Sequence, residues 1–329
     1  MKRRDIHAQY DFFEFIRATD SVPPAGRDRI DIAVLDMNHS WPNVGHDSVV
    51  HSILEAAEAS RSALTDAGVK VRAISYDVRR TGLLPANPDG RFTLYVGTGG
   101  PGHLDPRLND GESDWAQGVL EKASWETPLF NLFDAIIRHP NAAMIGICHS
   151  FGLMCRWSGV ARPVLRGEKS SGFLSNVLSE SGAAHPWFRK FAEALPDGRH
   201  FRVIDNRLFD LILEDSAGVN CLSFEHENSA VVTMLEFARD ASGEMPRVFG
   251  VNHHPEIIDR EHVLDVLDEK RSHGEVSERW YRERADTMSD LLQGENERQS
   301  RLTSEYTFLG PLRYYLSALV AERCSGISV

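Results

Sequence analysis

The chain has 329 residues, 42% hydrophobic and 26% charged. That is ordinary globular composition, with length for one large α/β domain with additions or for two domains. Its 36 Lys+Arg against 48 Asp+Glu leave a formal net charge of -12, and an acidic surface repels phosphate backbones, which argues against a nucleic acid partner.

In chain order, "MKRRDIHAQYDFFEF" starts basic but carries no apolar core of the roughly 7–15 residues that a signal peptide needs. No later run approaches the ~18 apolar residues of a membrane span. The four cysteines, Cys148, Cys155, Cys221 and Cys324, form no CxxC pair, so a disulfide scaffold is not expected and a reducing compartment is. These features together predict a cytoplasmic protein away from the membrane. Residues 1–28 read as a preamble closed by the breaker "SVPPAGRDR". "IDIAVLDM" (30–37) is a continuous apolar strand suited to burial on both faces of a parallel sheet. A helix is predicted over 48–68, stopped by Gly68. Strands follow at 69–77 and 91–99, then a helical region over 113–138 and a strand over 142–148. This alternation predicts a doubly wound, mostly parallel α/β sheet. From residue 160 shorter strand signals, such as "HFRVIDNRLFDLILE" and "SAVVTMLEFAR", predict an antiparallel or mixed extension of that sheet, and beyond Glu256 the chain reads as helical and charged.

Three short motifs carry chemistry. In "MIGICHSFG" (144–152) an apolar strand delivers Cys148 to a helix N-terminus, where backbone N–H groups and the helix dipole favour thiolate over thiol. Alone, such a cysteine reads rather as an inert core residue at a strand end. "GTGGPG" (97–102) follows a strand, and its glycines allow close backbone approach to a ligand, so successive N–H groups there suit a developing oxyanion. A surface turn is the alternative. In "VNHHPE" (251–256), His254 and Glu256 lie two apart and point to one side of an extended segment. A histidine there takes a thiol proton while the carboxylate behind it fixes the ring. Metal binding by His253 and His254 is disfavoured, because neighbours on a strand point oppositely.

Taken in this order and spacing, over roughly 30–258, the three motifs resemble the class I glutamine amidotransferase family. The resemblance implies a flavodoxin-like core bearing a Cys-His-Glu triad, with a helical C-terminal extension outside the core. It assigns the nucleophile to Cys148, the general base to His254 and the orienting carboxylate to Glu256. Gly99, Gly100 and the N–H of His149 become oxyanion donors. It further implies attack on an amide of glutamine or γ-glutamyl type through a thioester, with neither metal nor cofactor. The division it suggests is a preamble (1–28), an amidotransferase-like domain (29–258) and a helical extension (259–329).

Two positions depart from the family. Ser150 stands where the elbow usually has glycine, and Gly152 where glutamine-hydrolysing members commonly have glutamine. Nucleophile and base are kept while a substrate-recognition residue is not. Homoserine acyltransferases share the core and triad, so an acyltransferase is the alternative, and a degenerate binding module is a third. No GxxxxGK[ST] motif occurs, so an ammonia-consuming synthase would be a separate chain. The C-terminal helices offer a cap over the site or a homo-oligomer interface. Asn38, His39 and Trp41, in the loop after the first strand, are pocket-lining candidates, with a plain loop as the alternative. The segment 165–172 is a candidate substrate cover, and Arg202 and Arg207 are candidate carboxylate ligands against a default of solvent-facing charge. His149 is expected to face outward at the helix start.

Overall fold

Uninterrupted apolar runs become the central strands, because a strand covered on both faces has no polar side to show. The computed structural model describes residues 4–88, 90–214 and 218–325. Its strands are β1 (Phe13–Ala18), β2 (Arg29–Asp36), β3 (Lys70–Asp77), β4 (Phe92–Gly97), β5 (Ala143–Ile147), β6 (Ala161–Leu165), β7 (Gly172–Leu178), β8 (His200–Asp205), β9 (Phe209–Leu213), β10 (Asn220–Glu225), β11 (Val232–Arg239) and β12 (Pro246–Val251). Ten of them form one sheet in the order β1-β3-β2-β4-β5-β12-β11-β10-β7-β8, and β6 pairs with β9 separately. Pairing is parallel from β1 through β12 and antiparallel from β12 to β8. Without β1, the parallel run reads 2-1-3-4-5 in chain order, which is the flavodoxin-like winding.

The helices are α1 (Val44–Ala59), α2 (Arg61–Ala67), α3 (Val78–Thr81), α4 (Glu126–Arg138), α5 (His149–Ser158), α6 (Glu180–Ala184), α7 (Phe188–Ala194), α8 (Arg260–Ser272), α9 (Glu278–Leu291), α10 (Glu295–Ser304) and α11 (Gly310–Ser325). Alternation along β2 divides the core. Ile30, Ile32 and Val34 join Val49 and Ile53 of α1, Phe191 of α7 and Leu312 and Leu316 of α11. Ala33 and Leu35 join Leu129 and Phe133 of α4 and Leu153 and Met154 of α5. The sheet is therefore covered on both faces.

Several elements differ from the sequence reading. The segment taken as a preamble supplies β1, an edge strand in register with β3. The helix expected over 48–68 starts earlier, at an Asn43 cap, and divides at Ser60. Over 113–138 only the second half is an α-helix. Gln117 (φ 51) and Gly118 (φ 79) are left-handed, so the first half forms separate 3-10 turns at Asp114–Ala116 and Ala123–Trp125.

One buried cation closes the end of α4. Arg247 of β12 donates to the carbonyls of Ile136 (3.1 Å), Ile137 (2.9 Å), His139 (2.7 Å) and Ala142 (2.6 Å). A helix end leaves such carbonyls without partners. Arg247→Leu is expected to cost about 3 kcal/mol, because each buried acceptor left bare is expensive. Urea unfolding checks this through its midpoint at constant slope; a loss under about 1 kcal/mol would mean that water replaces the guanidinium.

Candidate active site

Strand β5 runs directly into α5, and Cys148 sits at the junction with φ 48 and ψ -102. Such a conformation is strained for a residue with a side chain and is characteristic of a nucleophile held on a sharp strand-to-helix turn. The Cys148 amide donates to the Val251 carbonyl at 2.8 Å, which ties the turn to β12. The sulfur stays partly exposed while Ile147 and Ser150 are buried.

The segment after β12 brings the other two residues. His254 donates its amide to the Ile204 carbonyl at 2.9 Å, and its Nδ1 lies 2.9 Å from Glu256 Oε1. Glu256 is only 1% exposed. Burial alone would lower the proton affinity of His254, but Glu256 and Cys148 outweigh it and hold the imidazolium well above the ordinary histidine range. His254 Nε2 is buried and has no hydrogen-bond partner within normal geometry among the described residues. The coupling to Cys148 is therefore mainly charge proximity in this conformation. His253 turns the other way, with Nε2 at 3.2 Å from Thr307 Oγ1, and burial with the nearby His254 and Arg207 pushes it down to about 3. The two rings do not converge.

Gly99 lies beside both groups. A Cβ built on it would sit 3.0 Å from His254 Cε1 and 3.5 Å from Cys148 Cβ. His149, as the first residue of α5, has an amide with no intrahelical acceptor. The His149 side chain corrects the expectation of an outward-facing residue: it is 3% exposed. Burial, with Arg79 and Arg156, keeps its ring neutral, well below the ordinary range.

The two departures from the family have steric counterparts. Ser150 Oγ donates to the Thr98 carbonyl at 2.7 Å, pinning the elbow to the glycine turn. Room for it comes from Gly97, where a Cβ would lie 2.6 Å from Ser150 Cβ. At Gly152 a Cβ would meet Leu104 Cδ1 at 2.6 Å and Cδ2 at 2.7 Å. Leu104 thus fills the space that a longer residue at 152 would occupy.

A cavity of ≈ 40 Å³ opens at the thiol, lined by Cys148, Leu104, Lys169, Asn206, Arg207 and Asn252 among others. Lys169 comes from the segment read as a substrate cover. Arg207 is buried, paired with Glu225 and with Asp205 (3.2 Å), whereas Arg202 is remote and donates to Asn296 Oδ1 at 2.7 Å. Leu104, Asn206 and Asn252 carried no sequence signal, since single residues in loops have no periodicity. Asn38 and Trp41 do not line this cavity. They belong to a larger one of ≈ 370 Å³ beyond α1.

No family model matches the chain, and no curated relative does. Among solved structures it is similar to a glutamine amidotransferase from Thermotoga maritima, at 13% identity and a TM-score of 0.51, over 88% of this chain and 98% of that one. A glutamine amidotransferase from Methylobacillus flagellatus is similar at 13% identity and TM-score 0.44, over 90% of this chain and 95% of that one. With its 2-1-3-4-5 parallel core and the first of these likenesses, the chain has a class I glutamine amidotransferase-like fold, extended by C-terminal helices.

Proposed function

We propose that the chain is a thiol enzyme of amidotransferase type, acting on an amide of glutamine or γ-glutamyl kind. The observation that carries this reading is a cysteine at φ 48 beside a His254 whose Nδ1 lies 2.9 Å from the buried Glu256. In the proposed step, His254 already holds the thiol proton as imidazolium, and Cys148 Sγ attacks the amide carbonyl carbon as thiolate. The carbonyl π electrons move onto oxygen, where the amides of Gly99, Gly100 and His149 stabilise the oxyanion. The tetrahedral intermediate collapses with cleavage of the C–N bond. His254 returns the proton to the leaving nitrogen, ammonia departs and a thioester remains. Water, deprotonated by His254, releases the acid and restores the thiol. Ammonia would pass to a synthase on another chain.

Leu104 beneath Gly152 supports a second reading, in which the thioester forms from a different acyl donor and passes to a small acceptor. Under either reading Lys169 in the cavity lining favours a carboxylate on the substrate.

Peptide mass spectrometry of iodoacetamide labelling near pH 6 tests the reading. Fast labelling of Cys148, slowed severalfold by saturating glutamine, is expected. Fast labelling indifferent to glutamine would transfer support to the acyl-donor reading. Labelling no faster than at the other three cysteines would leave a binding module.

A further inference from the structure

The carboxyl ends of β1, β2 and β3 enclose a second cavity of ≈ 370 Å³ that does not include Cys148. Its volume falls in the range of small-molecule sites, and the ends of parallel strands are where α/β sheets bind ligands. Its floor is polar and buried, with Asp36, Asn38, His46, Ser75 and Lys270 each no more than 6% exposed.

Most of these groups already have partners. His46 Nε2 is 2.8 Å from Ser75 Oγ and its Nδ1 2.5 Å from Asp47 Oδ1. Lys270 Nζ lies 2.5 Å from Asp47 and 3.2 Å from Glu275. Burial opposes ionisation of Asp47, but His46 and Lys270 hold its carboxyl well below the usual range. The relay Ser75–His46–Asp47–Lys270 is therefore a fixed wall.

One buried acceptor remains, beside a carboxylate. Asp36 Oδ1 receives the Asn38 amide (2.9 Å) and Asn38 Nδ2 (2.8 Å), while Asp36 Oδ2 lies 3.9 Å from His46 Nε2. Asn38 Oδ1 is buried and has no partner among the described residues. Turning the Asn38 amide over would set its oxygen against the Asp36 carboxylate, so the orientation is fixed. A buried acceptor without a donor is costly, and Asn38 Oδ1 beside the Asp36 carboxylate calls for a ligand N–H.

Cations stand at the rim. Arg17 is held loosely, 3.6 Å from Asp47 and 3.9 Å from Glu275. Arg80 rests on Asp77 at 2.9 Å. Above them the loop carries two successive left-handed residues, His39 (φ 54) and Ser40 (φ 62), and Trp41 is 44% exposed. Strain of this kind concentrates at ligand clamps.

We propose that this cavity binds a free α-amino acid, its ammonium inward on Asp36 and Asn38 and its carboxylate outward on Arg17 and Arg80. The site goes beyond the thiol chemistry and does not depend on it. Only the first turn of α1 separates the two, since a Cβ on Gly45 would lie 2.6 Å from Glu256 Oε1 while the neighbouring Asn43 and His46 line the cavity.

The test screens the standard L-amino acids singly by thermal shift on the full chain, then titrates those that stabilise it by calorimetry. At least one is expected to bind wild type and Cys148→Ser equally. Asp36→Asn should weaken it by about tenfold or more, the range of a lost charged hydrogen bond. Arg17→Gln, at an exposed side chain that the fold does not need, should weaken it about three- to tenfold, and the decarboxylated analogue should not respond to that change. No stabilising amino acid, or binding indifferent to both Asp36→Asn and Arg17→Gln, would overturn the proposal. Loss of binding in Cys148→Ser would also overturn it, by placing the ligand at the thiol.

Discussion

Replacing His254 with alanine is expected to slow alkylation of Cys148 near pH 6 by about 100-fold, the scale on which a paired base activates a thiol. Cys155 and Cys221 should not change, because burial raises both thiols above their ordinary value. Glu256→Gln should cost less, about tenfold, since the ring keeps a hydrogen-bond partner but loses the charge behind it. The pH profile has a definite sign. A histidine whose folded affinity for protons is raised keeps its imidazolium as pH climbs through the ordinary value near ~6.5 and loses it only at the raised value. The stability it adds is full below the ordinary value, declines from there, and is gone once pH passes the raised value. Cys148 reactivity should thus show no step near pH 6.5. A step there, or an unchanged rate in His254→Ala, would sink the coupling of Cys148 to His254.

Gly97→Ala is expected to destabilise the fold by about 1–3 kcal/mol, the usual cost of overpacking a closed site. The new Cβ would lie 2.5 Å from Ser150 Oγ and 2.6 Å from Ser150 Cβ. Ser150 has no room to yield, being wholly buried and hydrogen-bonded to Thr98. The displacement passes to the adjacent elbow, so Cys148 labelling should slow as well. Adding Ser150→Gly should recover most of both losses, because the elbow then has the glycine that the family normally uses. Urea denaturation of the four proteins gives the coupling energy directly. Losses that simply add would show that Gly97 and Ser150 do not share this space.

What could be read in advance followed the physics of pattern. The strands β2, β3, β4 and β5 were legible because their apolar runs have no competing reading. The motif residues Cys148, His254 and Glu256 were singled out by local context, and the fold sets His254 against Glu256 with Cys148 close by. β1 was lost because "FEFIRA" is short and carries two charges, Glu14 and Arg17, as edge strands often do. β7 and β10 interrupt their apolar residues with Ser and Asn, which weakens strand propensity. The helix expected from residue 113 failed at Gln117, whose left-handed backbone no propensity scale announces. The second cavity was legible only in part, at Asn38 and Trp41. Its walls come from positions 17, 36–43, 75–81 and 270–275, and only the sheet order makes them neighbours.

The C-terminal helices bear on how the chain is made. Leu312, Leu316 and Val320 of α11 complete the apolar layer that β2 and α1 begin, Thr307 holds His253, and Thr303 donates to the Arg202 carbonyl at 2.9 Å. A ribosome delivers these residues well after the strands they cover. During synthesis this face of the sheet must therefore wait incompletely covered, an apolar surface of the sort chaperones protect, until α11 emerges to complete the layer.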